Sequence, residues 1–395
     1  MLTLTLVCLA AQPARPPLPN RVSVFVVDKS GGDSGGIEAQ VLGALDDEKV
    51  SLADLDTLFT PSPVTSAADK LLADAKIAYD NLDYDAALAK YQEALESMVK
   101  SPLGASSKQL AEAWQFIAII ALQNGGKTQA KKAQDAFVKA LVHDPSIQVD
   151  AKTYGADVKK VFDKAVAEVA KQGKSTLKVE STPGGADVTL AGRLLGTTPV
   201  EPIELPVGQH LITFARPGYE PAAVVVELTR NGATASGTLS LVAAYADQRS
   251  TAGALVSSLG SGKVPGGARA LAEKMNTRFV LLGSTSGGQT TFELWDVESG
   301  SQLNGLRVGE DGGYSKVAKK VKQFVASPSA IVAAPPEPVA VVKRPTEPGN
   351  DEPLYKKWWL WAAVGVVVVG GATAGGIAAA NANGHPFNTV LLGSP

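Results

Sequence analysis

From Trp358 to Ala380 the chain runs for 23 residues without an Asp, Glu, Lys or Arg. As a helix rising about 1.5 Å per residue this stretch reaches roughly 34 Å, enough to cross the hydrocarbon core of a bilayer. Lys356 and Lys357 stand directly before it, and Trp358, Trp359 and Trp361, three of the five tryptophans, crowd the same end. Amphipathic indoles prefer the headgroup level, so the expectation is a single transmembrane helix at 358–380 with a short tail at 381–395. Gly371 and Gly375 form a G-x-x-x-G pattern inside it. That spacing lets two helices touch closely, which makes a homodimer one reading and the ordinary glycine content of membrane helices the other.

The rest of the chain has the composition of a folded, water-facing body. Of 395 residues, 45% are hydrophobic and 19% charged, which supports two or three domains before the anchor. Thirty-seven basic residues against 39 acidic ones give a formal charge of −2. No strong field gathers phosphate backbones, and nucleic acid is not an expected partner. The only cysteine, Cys8, lies in the apolar opening Met1–Ala11, ahead of the proline-rich QPARPPLP. Residues 1–14 read as a signal peptide with small residues at Ala10 and Ala11; against this, no basic residue precedes the apolar core. Val7 sits where a small residue should precede a lipid-modified cysteine, which disfavours a lipoprotein. Export places Lys356 and Lys357 outside, against the positive-inside preference, whereas a cytoplasmic body obeys it. The expected location is a bacterial membrane crossed once, with the body extracytoplasmic.

Residues 15–60 read as a short α/β segment. Apart from Ser23, Val22 to Val27 (VSVFVV) is a continuous β-branched and aromatic run, the pattern of a strand buried on both faces. The glycine-rich Ser30–Gly36 follows, either a plain turn or an anion cradle, without the Lys-Ser/Thr pair of a phosphate loop. Ile37–Leu45 then reads as helix. Over 67–170 the period is helical, with amphipathic stripes broken near Asn81 and at Ser101–Ser107. Small residues at Ala75, Ala87 and Ala94 around Tyr91, then Ala121, Ala133, Phe137, Ala140 and Pro145, resemble tetratricopeptide repeats. Ala87 and Ala133 are 46 positions apart, where the repeat has about 34, so the array is irregular. The helix Val158–Val169 is the cap such a stack needs.

At 175–241 the period changes to two. Leu177 and Val179, then Ala186, Val188 and Leu190, then His210, Ile212 and Phe214 alternate with polar neighbours, and turn residues recur between them. Short strands at this spacing predict a small antiparallel β-sandwich. Pro183, Gly184 and Ala186 before a strand, then Gly196, Thr198 and Pro199, Gly208 and His210, and Gly218 with Tyr219, stand in the order of a PEGA domain, which the segment resembles. Glycine replaces the namesake glutamate at position 184. Tyr219 has two readings, a ring packed over the sheet end or a ligand-stacking aromatic.

Residues 252–325 return to a small α/β pattern. It consists of a helix at Ala268–Met275, a strand at Phe279–Leu282, a second strand at Thr290–Val297 and a turn at Glu298-Ser299-Gly300. A return strand through Leu303 and Leu306 and a helix at Lys316–Val325 complete it. The order resembles small domains of the TolB N-terminal type in periplasmic envelope proteins. Val22–Val27 is apolar enough to join this domain's sheet, with the helical and sandwich modules inserted between. The lysines of the last helix read as a solvated face, the alternative being a lipid or RNA surface. Seven prolines between Ala326 and Leu354 make 326–357 a stalk of about 90 Å reach.

No catalytic, cofactor-binding or metal-ligating residues emerge. The three histidines, His143, His210 and His385, fall by a helix end, in a strand and in the tail, without ligand or triad spacing. Gly262-Lys263 lacks the rest of a nucleotide loop. The fold class is multidomain α+β: a helical-repeat module, a sandwich, a small α/β domain and one membrane helix. The function expected is non-catalytic, a membrane-anchored envelope protein displaying modules that bind a protein or a cell-envelope polymer. The alternatives are a cytoplasm-facing, tail-anchored signalling adaptor, or an envelope enzyme with an unrecognised carboxylate site.

Overall fold

Strand β1 (Val22–Asp28) is buried over its first five residues, as its largely apolar run requires. The computed structural model describes residues 16–64, 66–123, 125, 127–309 and 313–328. The expected leader, most of the stalk, and the expected span with Lys356, Lys357, Trp358, Trp359, Trp361, Gly371 and Gly375 lie outside them. Among the described residues no helix is long and apolar enough to cross a membrane. After β1 come α1 (Gly35–Asp47), which turns Val41 and Leu45 inward, and the single turn α2 (Leu55–Leu58).

Six helices follow: α3 (Ala67–Asp80), α4 (Tyr84–Lys100), α5 (Ser107–Gln123), α6 (Lys127–His143), the short α7 (Ala151–Tyr154) and α8 (Ala156–Gln172). Their starts are marked by side-chain caps. Ser66 accepts from Ala68 N, Asp83 from Ala86 N, and Ser106 and Gln109 bond reciprocally at the head of α5. Helices α3 and α4 pack as one hairpin and α5 and α6 as another, joined through α4 and α5, with α8 against α6. Ala75, Ala87, Ala94, Ala133 and Ala140 are fully buried. Tyr91 stacks flat on Phe116 with ring centroids 5.2 Å apart, and Phe137 meets Phe162 of α8 edge-on at 5.3 Å. The small residues let the helix axes approach while the rings fill the gaps left between them.

Seven strands make the next module: β2 (Lys174–Thr182), β3 (Asp187–Leu190), β4 (Arg193–Thr197), β5 (Val200–Pro206), β6 (Gly208–Ala215), β7 (Ala222–Leu228) and β8 (Ala233–Thr238). They form two sheets, β5-β2-β8 and β4-β3-β6-β7. Leu177, Val188, Ile212 and Phe214, inward by their alternation, are completely buried. The sandwich departs from the antiparallel expectation in one pairing, since β2 and β8 run parallel with Leu177 opposite Ala233. The turn at Thr229–Gly232 passes the chain from one sheet to the other, so β8 enters beside β2 in the same direction. Turn residues mark where a strand ends but not which sheet takes the next one. Gly237 on β8 lies against the Phe214 ring, where a Cβ would come within 2.6 Å.

The last elements are α9 (Ala243–Leu255), α10 (Gly266–Lys274), β9 (Phe279–Ser286), β10 (Gln289–Asp296), β11 (Gln302–Val308) and α11 (Tyr314–Ala326). Here β1 finds its partner: it lies parallel to β9, Val22 opposite Phe279 and Val24 opposite Leu281, in a sheet ordered β1-β9-β10-β11. The two α/β segments are therefore one domain interrupted by the helical module and the sandwich. Helices α1 and α11 cover one face, with Val41, Leu45, Val321 and Phe324 among Val24, Val26, Leu281 and Leu294. On the other face Phe25, Leu282 and Trp295 pack with Tyr245, Leu271 and Met275, and this core continues without a break into the sandwich through Phe59 and Tyr219. The sandwich and this face of the α/β sheet therefore share one core.

Buried carboxylates fasten this domain's loops. Asp296 receives Arg278 Nε at 2.9 Å and Nη2 at 2.6 Å, Ser299 Oγ at 2.7 Å and the Glu298 amide at 3.0 Å, which closes the Asp296–Gly300 turn. Burial alone would raise its carboxyl, but these donors outweigh burial and hold it below the usual carboxylate range. Glu293 accepts from Gly260 N and Trp295 Nε1, both at 2.8 Å, and ties down the loop between α9 and α10.

Candidate functional site

The turn residues of the sandwich do two jobs. Within the module, Gly185 N donates to Thr198 O at 2.9 Å, Thr198 N to Ala186 O at 2.8 Å, and Ala186 N to Thr198 Oγ1 at 3.0 Å. The Pro183–Ala186 segment is thereby laced to the Gly196–Pro199 segment. Outward, the same turn faces α1. A Cβ on Gly185, whose φ is +80°, would lie 2.3 Å from Ala39 Cβ, and one on Gly184 would lie 3.4 Å from Gly36 N. Gly218, at φ +81°, is overlaid by Tyr245 of α9, and a Cβ there would sit 2.5 Å from the ring. Gly185 and Gly218 meet both a backbone and a spatial demand that no other residue satisfies.

Glu38 closes this face electrostatically. It is 2% exposed on α1, and its carboxylate takes Arg216 Nη2 at 3.0 Å, Arg249 Nη1 at 2.7 Å and the Val26 amide at 3.1 Å. Arg216 also donates to Gly184 O, Arg249 Nη2 to Val26 O at 3.2 Å, and Gly184 N to Asp33 Oδ2 at 2.9 Å. One carboxylate so joins β1, α1, the β6–β7 turn and α9. Burial works against the Arg249 charge, yet Glu38 beside it raises its pKa further. The Ser30–Gly36 loop is part of this joint. Its Ser30 and Gly35 amides go to the carboxylates of Asp28 and Asp33 at 2.7 and 2.8 Å, acceptors that leave those amides nothing to offer an anion. Tyr219, 5% exposed, lies under the Arg216 guanidinium at 4.9 Å and edge-on to Tyr245 at 6.2 Å. It packs inside the joint rather than in an open groove.

A second place has the character of a site. The C-terminal end of α6 crosses the sandwich at β6, where Gly208 sits under Val142. His143, the last residue of α6, is 3% exposed, and neither of its ring nitrogens has a hydrogen-bond partner among the described residues. Burial, then the nearby His210, pushes its pKa down to about 4. A helix C-terminus favours positive charge on a histidine, but at this depth desolvation outweighs the dipole and the ring is neutral. His210 is also buried and in a central strand, with β3 on one side of β6 and β7 on the other, not at an edge. Its Nε2–H donates to Pro206 O at 2.7 Å, and burial lowers its pKa too. The structure thus brings together two histidines that sequence spacing left apart.

Cavities open on both sides of His143. One of about 410 Å³ is lined by Leu190, Leu205, Leu211, Arg193, His210 and the Asp144–Ser146 turn. A lobe of about 630 Å³ shares that turn and reaches the Ala105–Lys108 head of α5. Across α6, a cleft of about 540 Å³ carries Asp135, Lys139, Glu227 and Arg230. Volumes of about 300–1,000 Å³ are those of small-molecule sites.

Two stacked sheets with laced turns define a small β-sandwich module set between helical hairpins and a split α/β domain. Residues 174–243 match the PEGA domain family. No curated protein and no solved structure matches the chain. Of the motif residues, Pro183, Gly184, Ala186, Gly196, Thr198 and Pro199 lie in the two laced segments and Gly218 and Tyr219 face α9. Gly208 and His210 lie under α6. The sequence reading missed Glu38 and Arg249 and the role of Arg216. The signal was there in part: Glu38 follows Ile37 on the face that also carries Val41 and Leu45, a charge in an apolar stripe.

Proposed function

We propose that this chain is a non-catalytic, membrane-anchored protein of the bacterial cell envelope that holds binding modules away from a bilayer. The observation that carries this reading is the Glu38–Arg216–Arg249 joint. It makes a rigid platform of the sandwich and the split α/β domain, while the sequence beyond it has the composition of a stalk and an anchor. In this reading residues 1–14 are a signal peptide and 358–380 the membrane helix. The hairpins α3–α4 and α5–α6 act as a degenerate tetratricopeptide-like pair, and the partner is a protein or a cell-envelope polymer.

Fractionation of broken cells tests the anchor. The full chain is expected to sediment with membranes and resist alkaline carbonate, and deletion of 358–380 to release it; full chain left in the supernatant overturns the proposal. Crosslinking whole envelopes and recovering the chain then tests the binding role, for which a defined protein or polymer partner is expected. The pair Lys356 and Lys357, with no Lys or Arg after Ala380, favours the second reading, a cytoplasm-facing adaptor. Protease protection of the body in intact spheroplasts would establish that orientation, and digestion the first. Dimerisation through Gly371 and Gly375 fails if Gly371→Ile leaves association in a membrane reporter unchanged.

A further inference from the structure

Buried polar groups are almost always paired, and an imidazole without a partner is a specific demand for one. His143 makes that demand at the wall of two cavities that share the Asp144–Ser146 turn. The other polar groups around it are sorted by charge. Asp144, the acid of the lining, is engaged by its own turn, accepting from Ser146 N at 2.9 Å and Ser146 Oγ at 2.6 Å. The His210 ring is engaged by Pro206 O. At the head of α5 the Gln109 amide is taken by Ser106 Oγ, while the amides of Ser107 and Lys108 have no acceptor in the helix, as in any first helical turn. That end of α5 carries the positive pole of its dipole. Lys108 and Arg193 add two cations to the rim, and Leu190, Leu205, Leu211 and Val142 give an apolar wall.

We propose that the seam between α6 and the sandwich binds a small organic carboxylate. Its carboxylate lies between His143 and the first turn of α5, and its short apolar body lies against Leu190, Leu205 and Leu211. The neutral ring of His143 donates one hydrogen bond, and Lys108 and Arg193 supply the counter-charge. The cleft across α6 holds Asp135, Lys139, Glu227 and Arg230, a balanced set that favours no anion. The proposal stands whether or not the chain is anchored.

Isovalerate, with isovaleramide as its uncharged counterpart, is the probe. The full-length chain with labelled histidine rings gives three signals, one for each of its three histidines, assigned by single replacement. Titration with isovalerate at pH 7 is expected to shift the His143 signal saturably and raise its titration midpoint, while His385 stays still. Isovaleramide is expected to bind at least about tenfold more weakly, the usual loss when a charge-assisted hydrogen bond is removed. Lys108→Ala, an exposed change that leaves the seam intact, is expected to weaken isovalerate several-fold. A His143 signal that does not move at about 50 mM isovalerate, where even millimolar affinity saturates, overturns the proposal. So does an equal response to isovaleramide, because the seam would then not distinguish a carboxylate from its uncharged counterpart.

Discussion

Glu38→Gln is the sharpest test of the joint. Glutamine keeps the volume and can still accept from the Val26 amide, but it removes the negative charge that both Arg216 and Arg249 bond. Their side chains are 4% and 18% exposed. Taking one partner from a buried ion pair costs about 3–5 kcal/mol, because the remaining charge stays desolvated. Arg249 can lean toward water and recover part of that cost; Arg216, packed between Gly184 O and the Tyr219 ring, cannot. The lower end, about 3 kcal/mol, is therefore expected. Urea unfolding of residues 16–328, followed by the fluorescence of Trp114 in the helical module and Trp295 in the core beneath α9, measures it. Adding Arg249→Met to each background completes a double-mutant cycle, whose coupling should exceed about 1 kcal/mol. A loss under about 1 kcal/mol for Glu38→Gln, or additive single changes, would mean that water already reaches the cluster and that it does not hold the modules together.

Three further outcomes are expected. Gly218→Val forces a side chain into the Tyr245 ring at a positive φ, and should cost at least about 2 kcal/mol in the same urea experiment. Acidification should weaken the fold through His143. Its folded pKa of about 4 lies below the ordinary value, so the unfolded chain takes up the proton first. Stability is then complete above about pH 6.5 and falls by about 3 kcal/mol as pH drops to about 4. His143→Asn should flatten that part of the pH–stability curve. Asp296→Asn should release the Asp296–Gly300 turn and cost about 1–3 kcal/mol, seen as faster amide exchange at Glu298 and Ser299.

The longer helices other than α9 lie where the 3.6-residue period put them, since each buries one stripe, and the sandwich strands β2, β3 and β6 follow their alternation for the same reason. The β1–β9 pairing was legible because Val22–Val27 carries apolar side chains on both faces, with Ser23 its one polar residue, and so must be covered on both sides. Helix α9 was missed because its buried residues are few, Tyr245 and Ala252 alone, leaving almost no periodic signal. The joint was harder still. Arg216 reads as an ordinary turn residue and Glu38 as an ordinary helical acid until topology places α1 beside the Pro183–Ala186 turn. His143 and His210 fall in different modules, and only the docking of α6 on β6 brings them near each other. Local pattern carries the elements, whereas sites between elements depend on packing that local pattern does not encode.

Ser23 and Phe279, bonded across neighbouring strands, are 256 residues apart in the chain. A ribosome or translocon delivers the amino-terminal strand long before its mate exists. In that interval an apolar ribbon with open amides waits in solution, the sort of edge that recruits chaperones or other nascent chains. The modules in between can fold first and draw the distant ends together, which reduces the entropy of the final closure. Biogenesis rather than equilibrium stability is then the vulnerable moment, and truncation from the carboxyl side should be felt first at the opposite end.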